Sequence, residues 1–485
     1  MPFHRPEKIG ISECMNDSSE FFGDLNGKRV TVMGLGRFGG GVTATRFLAD
    51  RGARVTVTDL LSENELAKSL SQLNGCSIEN FHLGGHVEED FTTADLIVVN
   101  PAVKRCNRYL QQARQAGIPL ASEMNLFWQL NRGKTVGVTG SNGKSTTTAL
   151  IHSILQAAGW NSRLGGNIGC SLLSEVETIQ ADDWSILELS SFQLHDLNRL
   201  PASPDVAVVT NFAPNHLDWH DSLDEYRKAK QTILRWQSPE GLAILNQDDD
   251  DVSRWPVYGR TFWFGSDDQG REGIFASGDS CVMRLEGTES VLPLPCWLKL
   301  PGLHNLQNAM AAACATLVVG VPVDAVQQGL ENFTPLPHRL QFVAEIEGRR
   351  FYNDSLATTP ESAIAAVESF AEPVILLAGG YDKQVDLSQL AETIATRVKS
   401  AVLMGQTAEE LTDLLECGEI QCSAAHCECS SFDEAFRCAC AHSALGDVIL
   451  LSPGCASYDW FANFQKRGER FVELVKTWQP EQIQH

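Results

Sequence analysis

Nowhere in its 485 residues does this chain string together the 18 apolar residues that a membrane-crossing helix needs, so no span is expected. The first 25 residues are polar and lack the apolar core of a secretory signal, so export is not expected. Residues 1–27 read as a poorly ordered tail. Positive charge is scarce: 38 Lys and Arg face 61 Asp and Glu, a formal charge of −23. That balance argues against a nucleic-acid partner, because phosphate backbones select basic faces. It leaves small anionic ligands open, since these need only a local positive pocket or a metal ion. Repeats and low-complexity tracts are also missing. Cysteine, by contrast, is plentiful at 14 residues; without an export signal these read as reduced thiols of a cytoplasmic protein.

Six of those cysteines crowd into 417–440, with His426 and His442 close by. The pairs Cys427/Cys429 and Cys438/Cys440 are C-x-C, not the C-x2–4-C spacing usual for zinc. The run 432–444 also reads as a helix, which would turn Cys438 and Cys440 to different faces. Packed or surface thiols are therefore expected in preference to a metal centre.

Strands alternate with helices throughout, the pattern of doubly wound α/β units. "RVTVMGLG" (29–36), "RVTVTD" (54–59) and "ADLIVVNPA" (94–102) read as strands, with "TATRFLADRG" (43–52) as a helix. "KTVGVTG" (134–140) opens a second system, with a helix at 146–159 and buried strands at 185–190, 205–211 and 241–246. A third carries strands at 373–380, 400–405 and 447–454. The expected fold class is α/β with three domains: an N-terminal Rossmann-like domain at 28–122, a central P-loop ATPase-like parallel sheet at 123–335, and a C-terminal Rossmann-like domain at 336–485. Hinges are expected near 122 and 336.

Two glycine motifs carry the chemistry. In "GLGRFG", Gly34, Gly36 and Gly39 follow a strand and precede a helix, and Asp59 ends the next strand, placed to accept a ribose hydroxyl. Any nucleotide diphosphate fits that geometry, NAD included. The second, "GVTGSNGKSTTT" (137–148), resembles a phosphate loop but has Val138 where G-x-x-x-x-G-K-[ST] requires glycine. Backbone amides from Gly140 through Ser141, Asn142 and Gly143 to Ser145 would form an anion nest at a helix start. Lys144 adds a charge for β- and γ-phosphates, Ser145 a hydroxyl for Mg2+, and Thr146 continues the hydroxyl run. Glu188, closing "SILELS", stands where such a sheet places a metal carboxylate. His216 and Lys230 have no distinctive spacing of their own.

The segments "VTGSNGKSTTT", "GGNIG", "LELSSFQL", "NHLDWH", "EYRKAK", "LPGLHNLQNAMAA", "LPHRL", "YNDSLATTP", "GGYDKQ" and "LSPGCASYDWFANFQKRG" stand in the order that the Mur ligases carry them, over roughly residues 28–475. The opening fingerprint and the C-terminal segment resemble the glutamate-adding branch of that family. The resemblance implies an ATP-dependent acid–amino-acid ligase of peptidoglycan precursor synthesis, acting through an acyl phosphate. Its substrates would be ATP, D-glutamate and a UDP-N-acetylmuramoyl-L-alanine. "GLGRFG" would then hold uridine diphosphate. Two Mg2+ ions are implied, one on Ser145 and Glu188 and one on His216 and Lys230, the lysine as its carbamate. Lys144, Glu188, His216 and Lys230 would be catalytic. Asn246, Arg339 and Asp354 would serve ATP. Gly36, Arg37, Phe38, Asp59, Asn167, Ser190, Gln193 and His216 would face the UDP-substrate, and Thr358, Lys383, Ser457 and Phe464 the glutamate. No membrane or nucleic-acid partner is implied, and a monomer is expected. Arg37-Phe38 and Leu356 depart from the family pattern; Leu356 stands where a lysine is usual, which leaves L-glutamate open beside D-glutamate. An NAD-dependent oxidoreductase built on "GLGRFG" is the reading from another class; it leaves Lys144 and its hydroxyls unexplained.

Overall fold

The computed structural model describes residues 24–479 apart from 37–38, 105, 170, 215–218, 335–336, 384 and 418–424. It divides into two compact units: the chain up to Lys144 with Ala158–Trp263, and Ser145–Ala157 with Phe264 onward. The tail expected over 1–27 lies outside the described residues except for its last four.

In the first unit, β1 (Arg29–Met33), β2 (Arg54–Asp59), β3 (Asn80–Leu83), β4 (Leu96–Val99) and β5 (Leu120–Ala121) form a parallel sheet in the order β3-β2-β1-β4-β5. The order reverses at β1, so the glycine turn after β1 opens at the switch point where such sheets bind ligands. Next come β6 (Lys134–Thr139), β7 (Ser162–Gly166), β8 (Trp184–Glu188), β9 (Val206–Val209), β10 (Leu242–Asn246) and β11 (Arg260–Gly265), ordered β11-β10-β9-β6-β8-β7. Here β6 lies between β8 and β9, parallel to both, so the loop starting at Gly140 sits at a second switch point. Both sheets are runs of Val, Ile and Leu because helices cover both faces. One apolar core spans the two, from Val30 and Phe47 through Met124 and Phe127 to Leu187 and Val209.

That core bears on the hinge expected near 122. Ser122 is fully buried and caps the helix Glu123–Leu130 reciprocally with Asn125, and Asn125 Nδ2 donates to the Asp196 carbonyl at 3.1 Å. The joint is packed, not loose, because the helix that follows it belongs to the core. The hinge expected near 336 falls at 335–336, outside the described residues.

The second unit holds β12 (Gly273–Ser277), β13 (Ser280–Leu285) and β14 (Thr288–Leu292), an antiparallel meander. Its C-terminal sheet comprises β15 (Gln341–Ile346), β16 (Arg349–Asn353), β17 (Val374–Ala378), β18 (Ser400–Met404), β19 (Ala425–Cys429) and β20 (Val448–Leu451), ordered β15-β16-β20-β17-β18-β19. Only β15 runs antiparallel, joined to β16 by a hairpin. The three α/β domains expected from the pattern are present, each with a parallel-rich sheet.

Candidate active site

Gly140 follows β6 with φ of +152°, and a Cβ there would collide with Thr210 Oγ1. Only glycine lets the loop press against the residue after β9. Asn211 then holds the loop: its carbonyl accepts from Ser141 N–H at 3.0 Å and its Oδ1 from Asn142 N–H at 2.8 Å. The nest expected over 140–145 is therefore narrower, since two of its amides are spent on Asn211. What remains starts with Gly143 and the first turn of the helix Lys144–Ala157, whose amides have no partner within the helix. Ser141 Oγ donates to the Ala213 carbonyl at 2.8 Å and lies 3.1 Å from the Tyr226 hydroxyl, whose pKa burial pushes up to about 12.

Two lysine side chains meet on this loop. Lys144 Nζ donates to the carbonyls of Gly140 and Ser141 at 2.9 and 2.8 Å, and Lys230 Nζ to the Gly140 carbonyl at 2.7 Å. Lys230 comes from the middle of the helix Leu223–Arg235 and is 2% exposed. Burial, and then the charge of Lys144, hold its pKa well below that of an ordinary lysine; Glu188 opposes them. Lys230, which looks like a solvated helix charge by spacing alone, is thus a buried amine biased toward its neutral, nucleophilic form.

Glu188 ends β8, also 2% exposed. Its Oε1 accepts from Asn167 Nδ2 at 2.7 Å, while Oε2 is buried with no hydrogen-bond partner among the described residues. A half-satisfied buried carboxylate is costly unless a cation completes it. Asn167 is itself positioned by the turn after β7, where a Cβ on Gly166 would strike the Glu188 carbonyl. Ser190 and Gln193, expected at the substrate, form the reciprocal cap of the helix Ser191–Leu197: Gln193 Oε1 accepts from Ser190 N and Oγ, both at 3.0 Å. Asn246 is buried, donating to the Thr210 carbonyl at 2.8 Å and accepting from Asp248 N–H at 2.9 Å. It braces the loop after β9, with one N–H and one lone pair left over. His216 lies outside the described residues.

At the first switch point, Asp59 spends Oδ2 on Gly36 N–H and Oδ1 on Leu61 N–H, each at 2.9 Å, so the carboxylate shapes the glycine turn as well as facing it. Arg37 and Phe38 lie outside the described residues. Asn100, which sequence reading missed, donates from Nδ2 to the Gly34 carbonyl at 3.2 Å; its signal was the end of the strand "LIVVN".

In the second unit, the loops after β16, β17 and β20 converge. Arg467, 2% exposed, joins the first and the last of them. Its guanidinium donates to Ser355 Oγ and to the carbonyls of Ser355, Cys455 and Ala456, at 3.0–3.1 Å. Ser355 Oγ donates to the Phe464 carbonyl at 2.8 Å, and Tyr381 N–H to the Ala456 carbonyl at 2.9 Å. These ties bring Leu356, Thr358, Lys383, Ser457 and Phe464 to one end of the sheet. Arg467 was missed because one arginine in "QKRG" reads as surface charge. Burial raises the Cys455 thiol pKa, and the charge of Lys383 works the other way, which sets Lys383 near that loop.

Asp354 Oδ2 accepts from Ser452 Oγ at 2.7 Å and Oδ1 from Leu340 N–H at 3.0 Å, the loop that also carries Arg339. Burial nonetheless raises its pKa from 3.8 to about 6, against those bonds and the charge of Arg339. Stability from the protonated form is then present below 3.8 and lost as pH rises through about 6. An Asp354→Asn chain, a neutral mimic, should gain on the wild type by up to ~3 kcal/mol between about pH 4 and pH 8. Chemical denaturation at the two pH values checks this; a difference that does not change with pH refutes it.

Known proteins share both the architecture and the sequence. Three family descriptions match the chain: Mur ligase MurD-like N-terminal domain over residues 28–122, Mur ligase middle domain over 138–316, and Mur ligase, glutamate ligase domain over 338–455. A UDP-N-acetylmuramoylalanine–D-glutamate ligase of Acidobacterium capsulatum is 40% identical over 459 residues, covering 93% of this chain and 97% of that one. A protein of the same name from Roseiflexus sp. is 40% identical over 467 residues, covering 93% and 99%. Among solved structures, UDP-N-acetylmuramate–alanine ligase from Thermotoga maritima shares the fold with a TM-score of 0.59 at 20% identity, covering 93% of this chain and 99% of that one. A MurF ligase from the same organism, solved with ADP, gives 0.56 at 17%, covering 94% and 97%. With full-length relatives at this identity and matches along its whole length, the chain belongs to the Mur ligase family and is an ATP-dependent amide ligase.

Proposed function

We propose that this ligase joins D-glutamate to UDP-N-acetylmuramoyl-L-alanine, forming ADP and phosphate, as a cytoplasmic monomer in peptidoglycan precursor synthesis. The observation that carries the reading is the cluster of Lys144, Lys230 and Glu188 at the shortened phosphate loop, in a chain 40% identical to D-glutamate ligases across nearly its full length. A carboxylate resists attack by an amine because no good leaving group is present. Transfer of the ATP γ-phosphoryl to it gives an acyl phosphate. The glutamate amine then attacks the acyl carbon, and phosphate leaves from the tetrahedral intermediate.

The residues divide that work. Lys144, whose Nζ already reaches over the loop, neutralises charge on the transferring phosphoryl oxygens. The remaining amides at the start of the helix cradle the phosphates. Gly36, Asp59, Asn167, Ser190 and Gln193, with Arg37, Phe38 and His216, serve the UDP-substrate, and Asn246, Arg339 and Asp354 the nucleotide. Thr358, Lys383, Ser457 and Phe464 hold the amino acid. Bound Mg2+ would relieve the repulsion between two anionic substrates. The orphaned Glu188 Oε2 fits that ion, and so does Lys230 once its neutral nitrogen adds to CO2 and releases a proton, leaving an anionic oxygen ligand. His216 and Ser145 complete the proposed ligand set.

The test is ADP release with each substrate omitted in turn. It should require ATP, UDP-N-acetylmuramoyl-L-alanine and glutamate together, with the D-enantiomer winning direct competition; a preference for L-glutamate overturns the substrate. Leu356 bears on the strength of that binding. Its N–H donates to the His338 carbonyl at 2.9 Å, so its backbone is held while its side chain brings no charge. A charge-assisted hydrogen bond contributes about 1.5–3 kcal/mol. Leu356→Lys should therefore tighten glutamate by roughly ten- to a hundredfold. An unchanged KM would show that Lys383 already supplies the charge.

A further inference from the structure

The thiol-rich segment near the C-terminus has no part in this chemistry. C-x-C is an unusual zinc spacing on a turn or a helix, where residues two apart diverge. Cys427 and Cys429 stand on β19, where residues two apart share a face, and they pair in register with Val402 and Met404 of β18. The helix Phe432–His442 packs on that face through Phe436 and Ala439, against Val402 and Met404. It carries Cys438 to the two strand thiols, while Cys440 turns away and is buried, so the expected division of 438 from 440 is present. The three sulfurs all lie within 4.8 Å of one another, with Cys427 and Cys438 at 2.7 Å. One helical turn on, His442 Nδ1 lies 3.5 Å from Cys438 Sγ and 2.8 Å from the Cys438 carbonyl.

We propose that Cys427, Cys429 and Cys438, with His442 as the fourth ligand, form a structural site for a thiophilic tetrahedral cation, Zn2+. Around zinc at about 2.3 Å from sulfur and 2.0–2.1 Å from nitrogen, tetrahedral neighbours lie about 3.8 Å apart for two sulfurs and about 3.6 Å for sulfur and nitrogen. The Cys438–His442 separation already matches, but His442 stands outside the group of three close sulfurs and has to swing toward Cys427 and Cys429. The Cys427–Cys438 pair has to open by about 1 Å, which a rotation at either thiol accomplishes. His442 exchanges its hydrogen bond to the Cys438 carbonyl for the metal. All three thiols are only partly buried, and β19 is the edge strand of its sheet, so an ion can reach them from solvent. Binding releases the three thiol protons, so affinity falls as pH falls. Such a clip joins an edge strand to the helix that follows it.

The experiment uses the reduced, chelator-stripped full chain and Zn2+ alone, titrated against a chromophoric chelator, with Co2+ substitution to show thiolate-to-metal bands. One equivalent per chain is expected. Cys429→Ser and Cys438→Ser should each weaken it by more than the ~10–100-fold that an outer-shell partner costs, and His442→Gln by at least about tenfold. Cys106→Ser, an exposed thiol elsewhere, should change nothing. Should Cys438→Ser not fold, Cys429→Ser and the wild-type cobalt spectrum still decide. The site is overturned if the reduced chain takes up no stoichiometric zinc or if uptake survives Cys429→Ser. It is equally overturned if mass spectrometry finds a Cys427–Cys438 disulfide whose reduction yields no metal binding.

Discussion

A Lys144→Ala chain should fold with its circular dichroism unchanged and release ADP at about a hundredth to a thousandth of the wild-type rate, the cost of removing one donor aimed at developing charge. The folding half of that expectation follows from what Lys144 touches. Its Nζ bonds the carbonyls of Gly140 and Ser141 in its own loop, and Lys230 also binds the first of these. The catalytic half follows from its place one residue into the helix Lys144–Ala157, beside the amides that the helix leaves open. A second readout separates this role from a merely structural one. Lys144 is the second cause, after burial, that depresses the Lys230 pKa. Removing it should let that pKa climb part of the way back, so the variant also takes up less CO2 at a given pH. Near-wild-type turnover by a folded Lys144→Ala protein would refute the assignment.

Lys230→Ala should be the more damaging change. The side chain is 2% exposed and bonds the Gly140 carbonyl, so its loss opens a cavity beneath the phosphate loop and strands that acceptor. A stability loss of about 2–4 kcal/mol is expected, with turnover reduced by about a thousandfold or more. A short carboxylate such as acetate should restore part of the rate, because it places anionic oxygens where the carbamate of Lys230 would lie. Rescue distinguishes the two losses, since acetate does not refill the packing of a four-carbon stem. The measurements are kcat against acetate concentration, and 13C-bicarbonate NMR of the wild type for a carbamate carbon. No carbamate resonance together with no rescue sinks the proposal. Glu188→Gln is the companion variant: it keeps the Asn167 contact, removes the charge that its orphaned Oε2 carries, and should not respond to acetate.

Most of the parallel sheet strands could be read from the chain alone. The strands read at 29–36, 54–59, 134–140, 205–211, 241–246 and 400–405 each contain an observed one, because a strand buried on both faces is a continuous apolar run. The glycine at 140, the lysine at 144 and the carboxylate closing β8 were equally legible, since motifs of this kind are local: their residues lie on consecutive backbone or at the end of a recognisable strand. The hairpins were not read. The turns between β13 and β14 and between β15 and β16 place Glu286, Gly287, Glu347 and Gly348 all at positive φ. Glu-Gly does this work where Asn-Gly is the usual signal, and a glutamate does not advertise a left-handed turn.

What only the tertiary structure decided are contacts between residues far apart in sequence. Asn211 takes two amides from a phosphate loop some seventy residues earlier. Lys230, one cation among several on a polar helix, becomes a buried amine because that helix docks under Gly140. Arg467 binds two loops, those after β16 and β20, from within a segment that reads as surface. Cys427, Cys429 and Cys438 meet because a strand repeats every two residues and a helix packs on the face that this selects. Composition and periodicity report what each segment buries, and so they specify the layers. A charge, an amide or a thiol acquires its chemistry from its neighbours, and those are chosen by packing across the fold.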